Sequence, residues 1–171
     1  HDQGMAIIER LTRSMDDEKR AAWAETDDLE EIDGFRDLLR ALFNGAYHTP
    51  DDEVRLEALE HAARFPDWAP APVYNNLLLL YFNADRLDDA LALLPVALRT
   101  AEEAPNSYTF HNAACVLVKA GRLDEAYHCV ERAKHHGYPL MDKIRDDDDL
   151  APLRERAGWA ALVADDDEAD A

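Results

Sequence analysis

The sequence is poor in the residues that build reactive loops and covalent frameworks: its 171 residues include only two cysteines and six glycines. Cys115 and Cys129 fall on different helices of one helical pair, Cys115 on its groove-facing side, so a disulfide would need their side chains turned toward each other, and they read as free thiols in a reducing compartment. So few glycines leave little material for a phosphate-cradling loop, and neither a nucleophile elbow nor a Cys-His nucleophile pattern is present. No apolar run approaches the roughly eighteen residues that span a bilayer. Basic residues are scarce as well. Eighteen of them against 37 acidic residues give a formal net charge of −19, which disfavours a nucleic-acid backbone or an anionic membrane surface as partner. Together these absences predict a cytoplasmic protein that is not an enzyme, carries no cofactor, binds neither nucleic acid nor membrane, and attracts a basic segment of another protein.

What is present is helical periodicity. Met5, Ile8, Leu11, Met15 and Trp23 predict one amphipathic helix across Met5 to Trp23, and a second follows from Leu29 to Phe43, with Leu29, Ile32, Phe35, Leu38, Leu39, Leu42 and Phe43 on one face and Gly45 ending it. In Thr49-Pro50-Asp51-Asp52-Glu53, Thr49 is placed to cap, Pro50 fits the first helical position, and the acids favour the positive end of a third helix, Asp52 to Phe65. The proline-rich stretch Phe65 to Pro72 is a rigid turn. No alternating strand pattern occurs anywhere. The fold class expected is all-α, a single domain over 1–171 with at least seven helical segments. The start of the chain lacks a basic segment followed by a long apolar stretch, so no signal peptide is expected. Because the first residue is not Met, His1 to Gly4 reads either as residues added before Met5 or as part of a longer chain.

Two segments, Ala71 to Pro105 and Ser107 to Pro139, superimpose at a shift of 36 residues. The shift lays Asn76 on Asn112, Tyr81 on Leu117, Arg86-Leu87-Asp88 on Arg122-Leu123-Asp124, Ala90 on Ala126 and Ala97 on Ala133. Each copy reads helix, short turn, helix, and an internal repeat of this length implies stacked supersecondary units that bury faces against each other. In order and spacing, Tyr74, Asn76, Leu77, Tyr81, Ala90 and Ala97, and then Asn112, Ala114, Gly121, Ala126 and Ala133, resemble the tetratricopeptide repeat. The resemblance implies an α-α superhelix: N-terminal helices over 5–65, two repeats over 71–139, a C-terminal cap over 140–163 in which Leu150, Leu153 and Trp159 plug the last helix pair, and an acidic tail over 164–171. Ala114 and Ala126 would lie where paired helices approach most closely, and Gly121 would supply a left-handed helix end. The first copy departs from the pattern at Leu78 and Asp85, which predicts a splayed or shifted helix pair, and Pro95 predicts a kink in its second helix.

The family's concave face maps onto Asn75, Leu79, Phe82 and Asn83 of the first copy and Tyr108, His111, Cys115, Val118 and Lys119 of the second. This surface suits a peptide or helix of a partner protein, which makes the chain a binding adaptor or scaffold. The cations with which some tetratricopeptide proteins grip a C-terminal carboxylate are missing at Asn75, Leu79, His111 and Cys115. A reading from another class is an acidic inhibitor or immunity-type protein that neutralises a basic surface. His111 and Cys115 have the one-turn spacing of two metal ligands, with His128, Cys129, His135 and His136 nearby in sequence. No four-ligand pattern accompanies them, so no metal site is expected. The acidic run Asp146 to Asp149 lacks the alternation and the glycine of a calcium loop and reads as a solvated helix start ahead of Leu150.

Overall fold

The computed structural model describes residues 2–25, 35–67, 69, 71–104 and 106–164. Every regular element among them is helical: α1 Asp2–Ser14, α2 Asp17–Ala24, α3 Phe35–His48, α4 Asp52–Ala63, α5 Ala71–Asn83, α6 Leu87–Glu103, α7 Ser107–Lys119, α8 Leu123–His135, α9 Met141–Asp146, a 3-10 helix Asp148–Leu153, and α10 Trp159–Leu162. The all-α class expected from the sequence holds. No helix among the described residues is long and apolar enough to cross a membrane. The predicted helix-face positions Leu29 and Ile32, the side chain of Phe35, the turn residues Trp68 and Pro70, and the tail over 165–171 lie outside the described residues. Contacts divide the chain into two units, 1–77 and 78–171, with the division falling inside α5.

In the first unit, α3 packs against α1, α2 and α4, and α1 also packs against α4. Ile7, Ile8, Leu11, Trp23, Leu38, Leu39, Leu42, Val54, Ala58 and Leu59 form its buried centre. The apolar stripe from Met5 to Trp23 is split into two helices rather than one, because Asp16 takes an extended conformation and its carboxylate accepts the Lys19 N–H at 2.9 Å, opening α2. Gly45 does not end α3. The helix runs through it to His48, and a Cβ there would lie 2.7 Å from a Trp23 ring carbon, so glycine is required by the close approach of the indole. The cap of α4 is Asp51, not Thr49: its carboxylate accepts from Glu53 N (3.0 Å) and Val54 N (3.1 Å). Thr49 instead accepts the Asp51 N–H and pairs with the Ser14 hydroxyl at 2.7 Å. Arg55 then closes the α3 end by donating to the carbonyls of Ala46 (3.0 Å) and Thr49 (2.6 Å), groups that no intrahelical donor reaches.

In the second unit the backbone repeats as the sequence does. After α5, the Asp85 N–H donates to Phe82 O (3.2 Å) and the Arg86 N–H to Tyr81 O (2.9 Å). After α7, 36 residues on, Gly121 donates to Val118 O (2.9 Å) and Arg122 to Leu117 O (2.8 Å). Each turn is a Schellman-type helix end with a left-handed residue at its centre, φ +58° at Asp85 and +74° at Gly121. A third follows α8 at Gly137 (φ +70°). Asp85 therefore forms the turn that glycine forms in the second copy. Aspartate tolerates the left-handed region better than most residues, and its carboxylate meets the Lys119 ammonium at 2.6 Å. That hydrogen bond and charge hold Asp85 below the usual carboxylate range. Helix α6 is continuous through Pro95, whose ring is exposed.

Helix α7 packs against α6 and α8, and the 3-10 helix packs against α7 and α8. Ala114, Ala126 and Ala133 are fully buried, as are the cap residues Leu150 and Leu153. Both cysteines are free, as expected from their placement on different helices, and both are buried. Removal from water raises both thiols, that of Cys129 to about 12.

Candidate functional site

Tyr108, His111, Cys115 and Lys119 recur at helical spacing along one side of α7, while Phe110, Ala113, Ala114 and Leu117 are buried on the others. Across from that side, α5 presents Leu79, Phe82 and Asn83. A cavity of about 180 Å³ is lined by these three residues, by His111, Asn112 and Cys115, and by Asp147 and Asp149 of the C-terminal cap. Five of the residues predicted for partner binding therefore line one cavity: Leu79, Phe82, Asn83, His111 and Cys115.

The cap reaches this face for a local reason. Asp147 ends α9 in an extended conformation and accepts the Asp149 N–H at 3.0 Å, starting the 3-10 helix whose Leu150 and Leu153 are withdrawn fully from water. Arg154 fixes the same corner by donating to Asp147 O at 2.9 Å. Asp147 is thus a helix-start residue, as expected, but its second oxygen is not left to solvent. Asp147 Oδ2 lies 2.8 Å from His111 Nε2 and 4.0 Å from Cys115 Sγ. The other ring nitrogen, His111 Nδ1, lies 3.0 Å from the Tyr138 hydroxyl. With Asp147 ionised, a neutral His111 donates from Nε2 and accepts the tyrosine proton at Nδ1, a chain of three polar groups with no donor wasted. Desolvation, then the charges of Asp147 and Asp149, push the Cys115 thiol up, so it is held as a neutral S–H. Tyr138 is raised to about 12, first by desolvation and then by Tyr108.

The remaining predicted residues have different surroundings. Leu79 and Tyr108 are 44% and 45% exposed. The Tyr108 ring meets Tyr138 edge-on at 5.1 Å. Lys119 is engaged within the protein, with its ammonium on Asp85 and 4.8 Å from the centre of the Phe82 ring, so it is not available as an anion anchor. Asn75 is half-buried on the part of α5 that belongs to the first unit. Tyr138, Asp147, Asp149 and Asn112 are site residues that the sequence reading missed. The only signal for Asp147 was its position ahead of a helix start, which says nothing about a histidine 36 residues earlier.

A larger cleft of about 500 Å³ lies along α6 and α8, with Leu91, Leu94, Pro95 and Leu98 on one side and Cys129 on the other. It is mostly apolar; of its charged residues Arg122 and Glu125 pair with each other, and Asp124 pairs with Arg156. In the smaller cavity imidazole and thiol meet one carboxylate oxygen, Asp147 Oδ2. No family model, curated protein or solved structure matches this chain.

Proposed function

We propose that the chain is a tetratricopeptide-like adaptor that binds a peptide or helix of another protein on the face formed by Leu79, Phe82, Asn83 and Tyr108. The observation that carries this reading is the exposure of two large side chains, Leu79, which lines a cavity with carboxylates at its edge, and Tyr108, one turn before His111 on the same side of α7. Exposed apolar groups beside a concave polar site are a common mark of an interaction surface, and aromatic anchors commonly dominate binding energy. The acidic rim, with Asp149 exposed and a net charge of −19, favours a ligand that combines an apolar side chain with a lysine or arginine. His111 and Cys115 serve this reading indirectly, by holding the cap that forms one wall. The cytoplasm, with its reduced thiols, is the compartment this reading assigns.

Selection from a displayed peptide library tests the reading. Enriched sequences should pair an apolar residue with a basic one, and Tyr108→Ala and Leu79→Ala should each weaken their binding by about 1 kcal/mol or more without lowering the melting temperature. Unchanged affinity in stably folded variants defeats the proposal. Binding that instead falls steeply with salt and ignores both substitutions favours neutralisation of a basic surface by scattered acids.

A further inference from the structure

We propose that His111, Cys115 and Asp147 bind a divalent transition-metal ion of the zinc class, leaving a fourth coordination position open to the cavity. The inference stands apart from the peptide-binding reading and replaces the sequence expectation of no metal, which rested on the lack of four ligands close together in the chain.

The three donor atoms, His111 Nε2, Cys115 Sγ and Asp147 Oδ2, all lie within 4.8 Å of one another. Tetrahedral zinc with its usual bond lengths holds nitrogen, sulfur and oxygen ligands about 3.4 to 3.6 Å apart. The observed separations of 2.8 Å (His111 to Asp147) and 4.0 Å (Cys115 to Asp147) straddle that range. To admit an ion, the His111–Asp147 contact opens and the Cys115–Asp147 contact closes by about half an ångström each, while the His111–Cys115 pair, within 4.8 Å, closes by up to about 1 Å. His111 and Cys115 share a face of α7 one turn apart, and Asp147 is anchored independently by the buried leucines of the cap.

The surroundings are those of a ligand shell. Tyr138 holds His111 Nδ1, which aims Nε2 inward, and the Asp149 N–H occupies Asp147 Oδ1, which leaves Oδ2 for the site. One imidazole, one sulfur and one carboxylate do not suit magnesium or calcium, which take oxygen ligands, and they suit zinc or its spectroscopic substitute cobalt(II). Charge agrees as well: a thiolate and a carboxylate balance a dication, in a place where two acids beside a buried thiol oppose any anion not so compensated. On binding, the Cys115 thiol proton leaves to solvent and a sulfur lone pair forms the metal bond. The His111 proton moves from Nε2 to Nδ1, where it is donated to the Tyr138 oxygen. The open position faces the cavity and takes water, or Asp149 from its rim.

Cobalt(II) titration of the reduced full-length chain, read by absorption, tests this. The wild type should show one equivalent of tightly bound cobalt with a thiolate-to-metal charge-transfer band. The band should vanish in Cys115→Ser and persist in Cys129→Ser, and Asp147→Asn and Tyr138→Phe should each weaken affinity by about 10-fold or more. Zinc should displace the cobalt and remove the band. A folded, reduced wild type that shows no band at excess cobalt overturns the proposal, as does a band that survives Cys115→Ser. Should circular dichroism show Cys115→Ser to be unfolded, the half-buried Asp147 decides instead: unchanged cobalt affinity in Asp147→Asn overturns the site.

Discussion

Leu79 and Cys115 occupy the same position of the repeat, 36 residues apart, yet Leu79 is 44% exposed and Cys115 only 8%. Asn75 and His111 are related in the same way, but His111 is held by Asp147 and Tyr138. The helix turns behind these positions are matched bond for bond, so the backbone repeat does not cause the difference. It comes from the cap, which follows the second copy and covers its face. The repeat decides where a side chain points, and the non-repeating segment after it decides whether that side chain meets water, a ligand or a carboxylate.

The strongest way to break the comparison is to remove the cap's anchor. Leu150→Ala should cost about 2 to 5 kcal/mol in thermal or denaturant unfolding, and modification of Cys115 by a thiol reagent should accelerate while Cys129 is unaffected. Equal acceleration of both thiols would show that the cap does not shield the second copy selectively. Next in size is overpacking. Ala90 and Ala126 are both fully buried at equivalent positions, so Ala90→Leu and Ala126→Leu should each cost about 1 to 3 kcal/mol. A surface-like change in melting temperature for either would separate the two copies at their helix contacts.

A thiol placed at the exposed equivalent sharpens the comparison directly. Leu79→Cys should react with a thiol reagent about 100-fold faster or more than native Cys115, because a buried thiol reacts only through opening of the structure. Comparable rates would mean that the cap is open most of the time. The smallest effects lie in the turns. Gly121→Ala forces a side chain into φ +74° and should cost about 1 kcal/mol, whereas Asp85→Gly should leave the melting temperature unchanged or slightly higher. The turns should also separate in acid. Lys119 lowers the Asp85 carboxyl, so its contribution is present above the ordinary carboxylate pKa of 3.8 and is lost as pH falls through the lower folded value. Asp85→Gly should abolish that component of an acid titration followed by melting temperature.

Most of the helices were legible because their signals are local. The second copy's turn could be read from Gly121, which stands where the left-handed region closes the helix. The break at Asp16 inside the predicted first helix is local and was missed, but two other misread boundaries involve tertiary contact. Gly45 looks like a stop in the sequence and proves to be clearance for Trp23, and Thr49 looks like a cap but is taken by Ser14, leaving the role to Asp51. Asp85 stands where glycine is usual and still closes its turn, because aspartate tolerates the conformation and a lysine from α7 pairs with it.

By itself the sequence determined the all-helical class, the 36-residue repeat, its turn chemistry and the face of α7 that carries Tyr108, His111, Cys115 and Lys119, because helical period and turn geometry depend on residues within a few positions of one another. Only the tertiary structure decided which of these side chains remain open and which acquire a partner. The joining of His111 and Cys115 to Asp147 follows from burying Leu150 and Leu153 against the last helix pair, a packing event between segments well separated in the chain that carries no periodic signature along it.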